Sequence, residues 1–589
     1  MNKESRKCQN CQQEFWIEPE DFDFYKKIDV PPPTWCPDCR SMRRFSWRED
    51  RTLYKNICAL CKKSTVSIHV PGSPFTVYCR ECWMSDKWDP MTYGRNYDFS
   101  QPFFTQYRKL MEAVPRPALT GTNLVNSEYS HACQNVKNCY YTFWAFSTED
   151  AQYAWAPLLS RQTFDSYVTD KSERTYETLL SDRLYRVKFS YFAHDCFDSS
   201  FLFDCVGCSY CFGCVNMRKQ KYRLFNEQLS KEEYFERIKY WDLGSYSKLE
   251  EAKKKFKEFH LSMPRRYADI VNSANVTGDV IRDSKNCHMC FSALEDVYDC
   301  KYVYFAGLDS KDSYDISVAG DLSELLYEVS YTVRAQRVKF SSGSDNSINV
   351  DYCNWARVSS NLFGCIALRN KQHCILNKQY ERSEYETLVS KIKKHMDEMP
   401  YVDAKGITYK YGEFFPPELS AYAYNESLAF VWYPKTKSEV LEDGLQWRDP
   451  SERKYSITLE PEKFPDHVRD VDDSILQEVI GCLHRGACNH TCATAFRLTK
   501  EELTFYRDMH IALPRLCPTC RHAERIQWRN GFHLYKRKCM CDGTKSHAYD
   551  NSTQHFHGTA ACPNEFETTY APDKPGIVYC NQCYKTEFL

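Results

Sequence analysis

Cysteines arranged in close pairs at both ends of the chain constrain its fold more than any other feature. The N-terminal cysteines form two sets of two Cys-x2-Cys pairs: Cys8, Cys11, Cys36 and Cys39, then Cys58, Cys61, Cys79 and Cys82. Two thiolates from one tight turn can occupy adjacent corners of a tetrahedron, and a second turn supplies the other two corners. The 24 and 17 residues between the pairs leave room for a short hairpin. The spacing therefore predicts a tandem zinc-ribbon module over residues 1–92.

The C-terminal cysteines are less regular, and the ligand choice there stays open. The predicted ligands of two further sites are Cys488, Cys492, Cys517 and Cys520, and then Cys539, Cys541, Cys580 and Cys583. Cys562 is a possible substitute ligand in the last site, and Cys482, His555 and His557 are further candidates. A site of four thiolates is closed and leaves no position for a water molecule. We therefore expect about four structural Zn²⁺ ions and no catalytic one.

The number and context of the cysteines also indicate the redox compartment. All 31 cysteines stand in a chain of 589 residues, which is far longer than the small secreted domains that depend on disulfides. Their odd number disfavours a fully paired disulfide framework. The chain opens MNKESRKCQN, without the apolar stretch of a signal peptide, and it has no run of 18 apolar residues. We therefore expect a cytoplasmic protein that has no membrane partner.

Two internal duplications organise the chain. The matching segments are 11–40 with 492–521, 186–190 with 337–341, and 137–139 with 285–287. The offset between the two ends is a constant 481, whereas the two copies in the middle are offset by 151 in one place and by 148 in another. Such self-similarity is the sequence signature of a repeat architecture.

The middle copies consist of short segments rich in aromatic and β-branched residues, separated by Asp, Ser, Asn and Gly. The segments recur about every dozen residues, which favours a parallel β-solenoid with stacked asparagines and cysteines; a pair of antiparallel domains is the alternative. A capping-box pattern of Ser230 with Glu233 predicts the helix that closes the first copy, and an equivalent helix is expected near Ser383. We predict a multidomain, mainly β fold with short helices, in which treble-cysteine-knuckle zinc ribbons at both ends flank a duplicated, solenoid-like centre.

The domain boundaries follow from these patterns. The predicted order is a tandem zinc-ribbon module (1–92), a linker (93–119), the first β-rich copy with its closing helix (120–245), a bridging helix (246–270), the second copy with its closing helix (271–398), an aromatic and proline-rich connector (399–470) and the C-terminal zinc-ribbon module (471–589). The connector contains YGEFFPPEL from Tyr411, and we expect it to lie over a neighbouring surface.

Arginines follow the second cysteine pair at each end. The candidate nucleic-acid contacts are Arg40, Arg44, Arg48 and Trp47, with Arg521, Arg525, Arg529 and Trp528 in the C-terminal copy. Arginines three and four positions apart lie on one helical face, and arginine together with aromatic residues suits phosphate contact and base stacking. The alternative is that these arginines pair with acidic residues such as Glu49 and Asp50. Because 78 basic residues face 79 acidic ones, the charge of the whole chain does not predict a nucleic-acid partner.

A run of four cysteines in the first middle copy resembles the start of a ferredoxin-type iron–sulfur motif. Its members are Cys205, Cys208, Cys211 and Cys214. The second copy keeps only part of this pattern, and the usual fourth spacing and trailing proline are absent. Buried cysteines also behave as small apolar residues. The sequence alone does not decide whether this run binds a metal or a cluster.

The segment CQQEFWIEPEDFDFY followed by CPDCR resembles the "probable zinc-ribbon" family of bacterial proteins, and so does its C-terminal copy. The whole layout, including YGEFFPPEL and FETTYAPDKPGIVYCNQCY, is similar to an uncharacterised family of long bacterial multi-zinc-ribbon proteins. The resemblance implies metal binding and a link to nucleic acid. Some relatives carry a CaiB/BaiF (carnitine/bile-acid) CoA-transferase label, but no residue pattern here supports that chemistry.

Three functions remain open on the sequence. The first is a zinc-binding scaffold whose two zinc modules are held apart by the β-rich centre and grip RNA or a ribonucleoprotein through the arginines. The second is a protein–protein scaffold, in which the arginines form salt bridges. The third is an enzyme, either the CoA-transferase of the label or a hydrolase that uses a solenoid groove, although GxSxG, Walker and HExxH motifs are missing from the sequence.

Overall fold

The computed structural model describes residues 2–49, 51–449 and 455–589, and its centre consists of two stacks of parallel β-coils. We call residues 121–228 the first solenoid. Its strands are Gly121–Val125, Cys133–Lys137, Trp155–Leu158, Arg161–Asp170, Glu173–Asp182, Tyr185–Tyr191, Phe197–Phe203, Ser209–Val215 and Lys221–Leu224, closed by Glu227–Gln228. Neighbouring strands pair in parallel at a register of 12 residues, as in Tyr185 with Phe197. The mainly β fold predicted from the sequence is confirmed, and its central strands are parallel.

A three-residue pattern explains why this sequence forms coils. The backbone enters the left-handed region at nearly every third residue, as at Asp195, Asp198 and Phe201, and asparagine and aspartate accept this conformation at lower cost than most residues. The residue that follows is buried inside the coil; after Phe201 it is Leu202, but it is often a small residue such as Cys196 or Ser199. There its hydroxyl or thiol bonds the carbonyls two residues before and nine residues after it, as Thr142 does with Tyr140 and Ala151 at 3.2 and 3.1 Å.

The second solenoid, residues 270–379, repeats this plan with a less regular register. Its strands are Ile270–Val271, Ala274–Arg282, Lys285–Leu294, Val297–Val303, Ala306–Gly307, Ser310–Ile316, Ala319–Gly320, Tyr327–Val329, Thr332–Val333, Gln336–Ser341, Ile348–Asp351, Ser360–Phe363, Gln372–Ile375 and Lys378–Gln379. The register is 13 residues from Lys285 to Tyr298 and again from Tyr298 to Lys311, and it returns to 12 from Gln336 onward. These longer coils account for the offset that grows from 148 to 151 along the sequence.

Helices flank and connect the strands, and several of them begin at a serine or threonine that caps the first turn. They are α1 Pro19–Lys27, α2 Pro37–Phe45, α3 Arg80–Met84, α4 Phe103–Ala113, α5 Lys231–Arg237, α6 Tyr246–Ser262, α7 Arg382–Glu398, α8 Leu428–Trp432, α9 Lys437–Glu442, α10 Lys500–Asp508, α11 Pro518–Ile526 and α12 Asn581–Phe588. The capping box of Ser230 with Glu233 opens α5 as predicted. In the part of the chain that the structure describes, none of these helices has the length and apolar character needed to span a membrane.

Four ribbons, each a short hairpin followed by a helix, carry the terminal cysteines. Their hairpins are Glu4–Lys7 with Glu14–Ile17 (ribbon 1), Tyr54–Ile57 with Ser64–Ser67 (ribbon 2), Ile480–Gly481 with Ala495–Phe496 (ribbon 3) and Tyr535–Lys538 with Glu565–Thr568 (ribbon 4). The helices that complete ribbons 1 to 4 are α2, α3, α11 and α12.

Each end of the chain bridges both solenoids. Ribbon 1 packs on the second solenoid, while Val77–Tyr78 of ribbon 2 pairs with Arg116–Pro117, just before the first solenoid. Ribbon 3 packs on the first solenoid, while Ile577–Tyr579 of ribbon 4 pairs with Pro264–Arg266, just before the second. The two ends also touch each other, because the ring of Phe45 lies 6.0 Å from that of Phe532. The expectation that the modules are held apart is therefore wrong: they fasten the two solenoids together.

The aromatic connector covers the junction of ribbon 1 and the second solenoid. Phe415 stacks on Trp47 at 4.7 Å and on Tyr107 at 4.9 Å, and Phe414 is fully buried beside it. The connector was predicted to span 399–470, and residues 450–454 of that range lie outside the described residues. Its aromatic residues thus form part of the core.

Candidate metal centres

All four ribbons place cysteines by the same rule. The first cysteine directly follows the first strand of the hairpin, and the second stands three residues before the return strand. The third is the N-cap residue of the helix, and the fourth is the third residue of that helix. The positive end of the helix therefore lies beside thiolates, which stabilises their charge.

In each of the four ribbons the structure brings the two hairpin cysteines together with the two helix cysteines. Within each group the candidate ligand atoms lie within 4.8 Å of one another: Cys8, Cys11, Cys36 and Cys39 (site 1); Cys58, Cys61, Cys79 and Cys82 (site 2); Cys482, Cys492, Cys517 and Cys520 (site 3); Cys539, Cys562, Cys580 and Cys583 (site 4). Sites 1 and 2 contain the cysteines predicted from the sequence. Sites 3 and 4 differ from the prediction, since Cys482 stands in place of Cys488 and Cys562 in place of Cys541.

The two differences have the same physical cause. The two strands of the hairpin hold the first and second cysteines of a ribbon close together. The loop between these two cysteines can therefore be long, and a short spacing in the sequence is not required. Nine residues separate Cys482 from Cys492, and 22 separate Cys539 from Cys562. Cys541 is buried beside site 4 and accepts a hydrogen bond from the Asn551 amide at 3.5 Å. The prediction from the sequence missed one signal that identifies the ligands, which is the position of each cysteine relative to the two strands of its hairpin.

The distances between sulfur atoms fit a bound tetrahedral ion. Adjacent Sγ atoms lie 3.8 Å apart in sites 1 and 2, 3.9 Å apart in site 3, and 3.6 and 3.9 Å apart in site 4. A disulfide would need about 2.05 Å, whereas a tetrahedron with metal–sulfur bonds of about 2.3 Å has edges of about 3.8 Å. The four-sulfur donor set therefore suits a thiophilic ion such as Zn²⁺.

Backbone amides support the thiolate form in every site. The N–H of the third cysteine donates to the Sγ of the first at 3.2 Å in all four ribbons. Burial disfavours ionisation of Cys58, but the N–H groups of Cys61 and Cys79 outweigh it and lower the pKa of the Cys58 thiol to about 6. Such a thiol is ready to bind a metal at neutral pH.

The arginines of ribbon 1 are buried against the second solenoid. Arg40 bonds Asp315 at 2.9 Å, and Arg44 bonds Asp315 at 3.1 Å and Glu328 at 2.9 Å. Arg43 joins this cluster by bonding Glu328 at 2.6 Å and the connector carboxylate Glu413 at 2.8 Å. The side chains of Arg43 and Arg44 are completely inaccessible to solvent.

The same contacts occur between ribbon 3 and the first solenoid. Arg521 bonds Asp165 at 3.1 Å and Glu502 at 3.3 Å. Arg525 bonds Asp165 at 3.4 Å and Glu177 at 2.7 Å. Burial raises the pKa values of Glu177 and Glu502, an effect that the arginines partly oppose. The arginines at both ends thus pair with carboxylates of the solenoids.

The remaining candidate contacts to nucleic acid are also turned inward. Arg48 lies 3.9 Å from the ring centre of Trp144, and Arg529 bonds the Ser292 hydroxyl at 2.7 Å. Trp47 is buried under the connector, and Trp528 stacks on Tyr191 at 4.3 Å. The structure therefore corrects their placement, because the named arginines face the interior, where a phosphate cannot reach them. Asp50, considered above as a pairing partner, lies outside the described residues.

The cysteine run of the first solenoid lies inside a single coil. Cys205, Cys208, Cys211 and Cys214 are each fully buried. The Sγ of Cys205 donates to the carbonyls of Phe203 and Cys214 at 3.5 and 3.4 Å, which is the pattern that Thr142 makes in its own coil. These thiols therefore take the place of hydroxyl groups in the solenoid interior.

Comparison with known proteins assigns the chain to no known family. No model of a known protein family matches the chain, and no curated protein matches it either. The resemblance to zinc-ribbon proteins accordingly depends on the cysteine pattern itself and on the ribbons described above.

Proposed function

We propose that this protein is a scaffold whose four ribbons hold structural Zn²⁺ ions and whose first solenoid carries a docking surface for a protein partner. The observation that carries the proposal is a row of exposed and half-buried aromatic side chains on the first solenoid that its copy in the second solenoid lacks. The principal contacts between a ribbon and its solenoid, the stacked aromatic pair and the arginine–carboxylate bonds, occur in both copies. A surface feature present in only one copy is therefore a candidate for function.

Zinc is the metal that the sites favour. Each offers four sulfur ligands in a closed tetrahedral arrangement, which is the usual composition of a structural zinc site. A ribbon of about 40 residues has too small a core to fold alone, so the metal supplies much of its folding free energy. The ions would thereby hold the ribbons that join the two solenoids.

The aromatic row extends along one edge of the first solenoid. Tyr185 and Phe197 are paired in adjacent coils and are 45% and 41% exposed. Tyr210 lies 6.4 Å from Phe197 and 5.8 Å from Phe235 of α5, ring centre to ring centre. Tyr222 stacks on Tyr210 at 5.6 Å. We call these five residues the aromatic row.

The second solenoid has unrelated residues in the equivalent places. At the offset of 151, the counterparts of the aromatic row are Gln336, Ile348, Asn361, His373 and Glu386. The backbone register is the same, since Gln336 pairs with Ile348 as Tyr185 pairs with Phe197. The second solenoid therefore forms the same coils without aromatic rings at these places.

Two ion pairs beside the aromatic row favour protein over RNA as the partner. Arg186 pairs with Asp198 at 3.3 Å, and Arg237 of α5 pairs with Glu227 at 2.8 Å. Paired charges attract a phosphate backbone weakly, whereas exposed aromatic side chains are typical of protein interfaces. Binding of RNA or a ribonucleoprotein through the ribbon arginines loses its support, because those side chains are sealed between ribbon and solenoid.

The enzyme alternatives gain no comparable support. The carboxylates that converge on the solenoid flank, Asp315 and Glu328, are bonded to Arg40, Arg43 and Arg44. These ion pairs join ribbon 1 to the second solenoid, so the two carboxylates are not available to act on a substrate.

The test is affinity capture from lysate with three forms of the full chain. The first is the parent, and the second carries Tyr185→Gln, Tyr210→Asn and Phe235→Glu, which are the residues that the second solenoid already has. The matched control carries Gln336→Glu, Asn361→Asp and Glu386→Gln in the second solenoid, with the same change in net charge. Captured protein and nucleic acid are measured in low and high salt.

We expect a protein that is captured by the parent and the control in both salts and is lost with the aromatic-row variant. Equal capture by all three forms would contradict the proposed surface. RNA that is captured only in low salt would support the nucleic-acid scaffold instead, because phosphate contacts weaken steeply with salt.

A further inference from the structure

A second group of metal-binding side chains lies against site 3. His484, Cys488, His490 and Cys520 have candidate ligand atoms that all lie within 4.8 Å of one another. Cys520 belongs to both this group and site 3. We propose that ribbon 3 holds two Zn²⁺ ions that share the Cys520 thiolate as a bridge, which makes five zinc ions per chain. The proposal rests on zinc being the metal of site 3.

The distance between the two cysteines supports a shared ion. Cys488 Sγ lies 3.6 Å from Cys520 Sγ, which equals the shortest of the sulfur–sulfur distances given above for sites 1 to 4. A tetrahedral zinc ion bound to both atoms would give about 3.8 Å. Two cysteines and two histidines form one of the common ligand sets of structural zinc.

The histidines present free nitrogen atoms at this place. Nδ1 of His484 and Nδ1 of His490 are both buried and have no hydrogen-bond partner in the described part of the chain. The two rings lie 5.9 Å apart, centre to centre. Nε2 of His484 lies 3.8 Å from a carboxylate oxygen of Glu524. A carboxylate beside the second ring nitrogen is typical of a zinc-bound histidine, whose first nitrogen then faces the metal.

Site 1 shows what the equivalent thiolate does without a second ion. Cys39 is the counterpart of Cys520 at the offset of 481, and it accepts a hydrogen bond from the Asn10 amide at 3.3 Å. The loop between the first two ligands has two residues in site 1 and nine in site 3. The longer loop supplies His484, Cys488 and His490, so a metal ion takes the place of the amide donor.

The charge balance also favours a second ion. Four thiolates around one Zn²⁺ leave a net charge of about −2, whereas five thiolates, two Zn²⁺ and two neutral imidazoles leave about −1. The second ion thus adds one thiolate and two neutral ligands and reduces the charge that the partly buried site must hold.

The experiment counts zinc in the full chain by native mass spectrometry after loading with Zn²⁺ and removal of the excess. The test variant is His484→Asn/His490→Asn. The matched control is His510→Asn/His547→Asn, which changes two exposed histidines of the same module, and asparagine accepts their left-handed backbone. Cys488→Ser is an independent second variant that leaves all four ligands of site 3 in place.

We expect five zinc ions in the parent and the control, and four in His484→Asn/His490→Asn and in Cys488→Ser. Four ions in the parent would overturn the bridged pair and leave the four ribbon sites intact, whereas no zinc in the parent would overturn the proposed function as well. Five ions in both test variants would place the fifth zinc elsewhere. Loss of two ions from either variant would make the side chains changed in that variant part of site 3 itself and would also overturn the proposal.

Discussion

Ribbon 1 on the second solenoid and ribbon 3 on the first solenoid are two versions of one interface. Phe24 of α1 stacks on Tyr314 at 3.9 Å, and Phe505 of α10 stacks on Phe164 at 4.0 Å. The guanidinium of Arg40 lies 5.0 Å from the ring centre of Tyr302, and its counterpart in Arg521 lies 4.9 Å from that of Tyr153. Contacts that persist in both copies show what the docking of a ribbon requires: one stacked aromatic pair and two arginines above solenoid carboxylates.

The differences between the two versions show what docking does not require. Arg43 of ribbon 1 corresponds to Glu524 of ribbon 3, so only the N-terminal version binds the connector through Glu413. Of these two ribbons, only ribbon 3 has a long loop, which carries His484, Cys488 and His490. Only the first solenoid has the aromatic row. These features each occur in only one half of the molecule, so the docking of a ribbon does not depend on them. The proposed docking surface uses the aromatic row, and the proposed second zinc ion uses the loop of ribbon 3.

The largest expected difference between the two versions is in metal content. Cys39→Ser and Cys520→Ser remove equivalent ligands, but Cys520 would serve two ions. We expect Cys39→Ser to hold four zinc ions and Cys520→Ser to hold three, compared with five in the parent, as counted by native mass spectrometry. Each lost structural zinc removes on the order of 10 kcal/mol of binding free energy, so both ribbons should unfold locally. Equal losses from the two variants would mean that Cys520 is not shared.

Breaking the buried ion pairs of ribbon 1 or those of ribbon 3 should reduce the free energy of unfolding by similar amounts. Arg44→Met leaves Asp315 and Glu328 short of a partner, and Arg525→Met does the same to Asp165 and Glu177. Breaking a buried pair by removing one partner costs about 3–5 kcal/mol. We expect both variants to lower the midpoint of urea unfolding by similar amounts.

The control for this pair is Arg186→Met, whose exposed side chain should contribute less than about 1 kcal/mol. Adding Glu328→Gln to Arg44→Met should restore part of the loss, because it removes one uncompensated charge. A large effect from only one of the two arginines would show that the two versions of the interface are not equivalent.

A change at Arg43 tests the contacts that ribbon 1 makes and ribbon 3 lacks. Arg43→Met breaks its bonds to Glu328 and Glu413, but Glu328 keeps Arg44. We expect a smaller loss of about 1–3 kcal/mol, the cost of leaving a buried polar group unsatisfied. A double-mutant cycle with Glu413→Gln measures the coupling between ribbon 1 and the connector. Additive effects of the two changes would show that the connector is held by its aromatic residues alone.

The sequence predicted the parts of the molecule that depend on local pattern. Cys-x2-Cys pairs gave sites 1 and 2, and the recurrence of short apolar segments gave the parallel centre. It failed where a contact joins distant parts of the chain. The ligand pair of Cys539 with Cys562 depends on a hairpin closed by Tyr535–Lys538 and Glu565–Thr568, which the spacing of cysteines does not reveal.

The arginines are a second case in which the sequence did not predict a contact between distant parts of the chain. Arg40 and Arg44 lie on one face of α2, as their spacing predicted, but the spacing cannot show what that face contacts. The partner carboxylates, Asp315 and Glu328, stand about 270 to 290 positions further along the chain. Because an exposed basic face and a buried one have the same periodicity, only the structure distinguishes a binding surface from a salt-bridged core.

The smallest expected effect concerns the cysteine run of the first solenoid. Cys208 corresponds to Ser359 in the second solenoid, whose hydroxyl donates to the carbonyl two residues before it at 2.9 Å. Cys208 Sγ makes the same contact at 3.6 Å. Cys208→Ser therefore replaces a thiol with the group that the other copy uses, and we expect a change of less than about 1 kcal/mol in the free energy of unfolding. The parent zinc content should also be retained. Loss of a metal ion, or of a visible absorption band, from Cys208→Ser would instead show that the four thiols of this coil bind a metal or cluster, and that the two solenoids differ in chemistry as well as in surface.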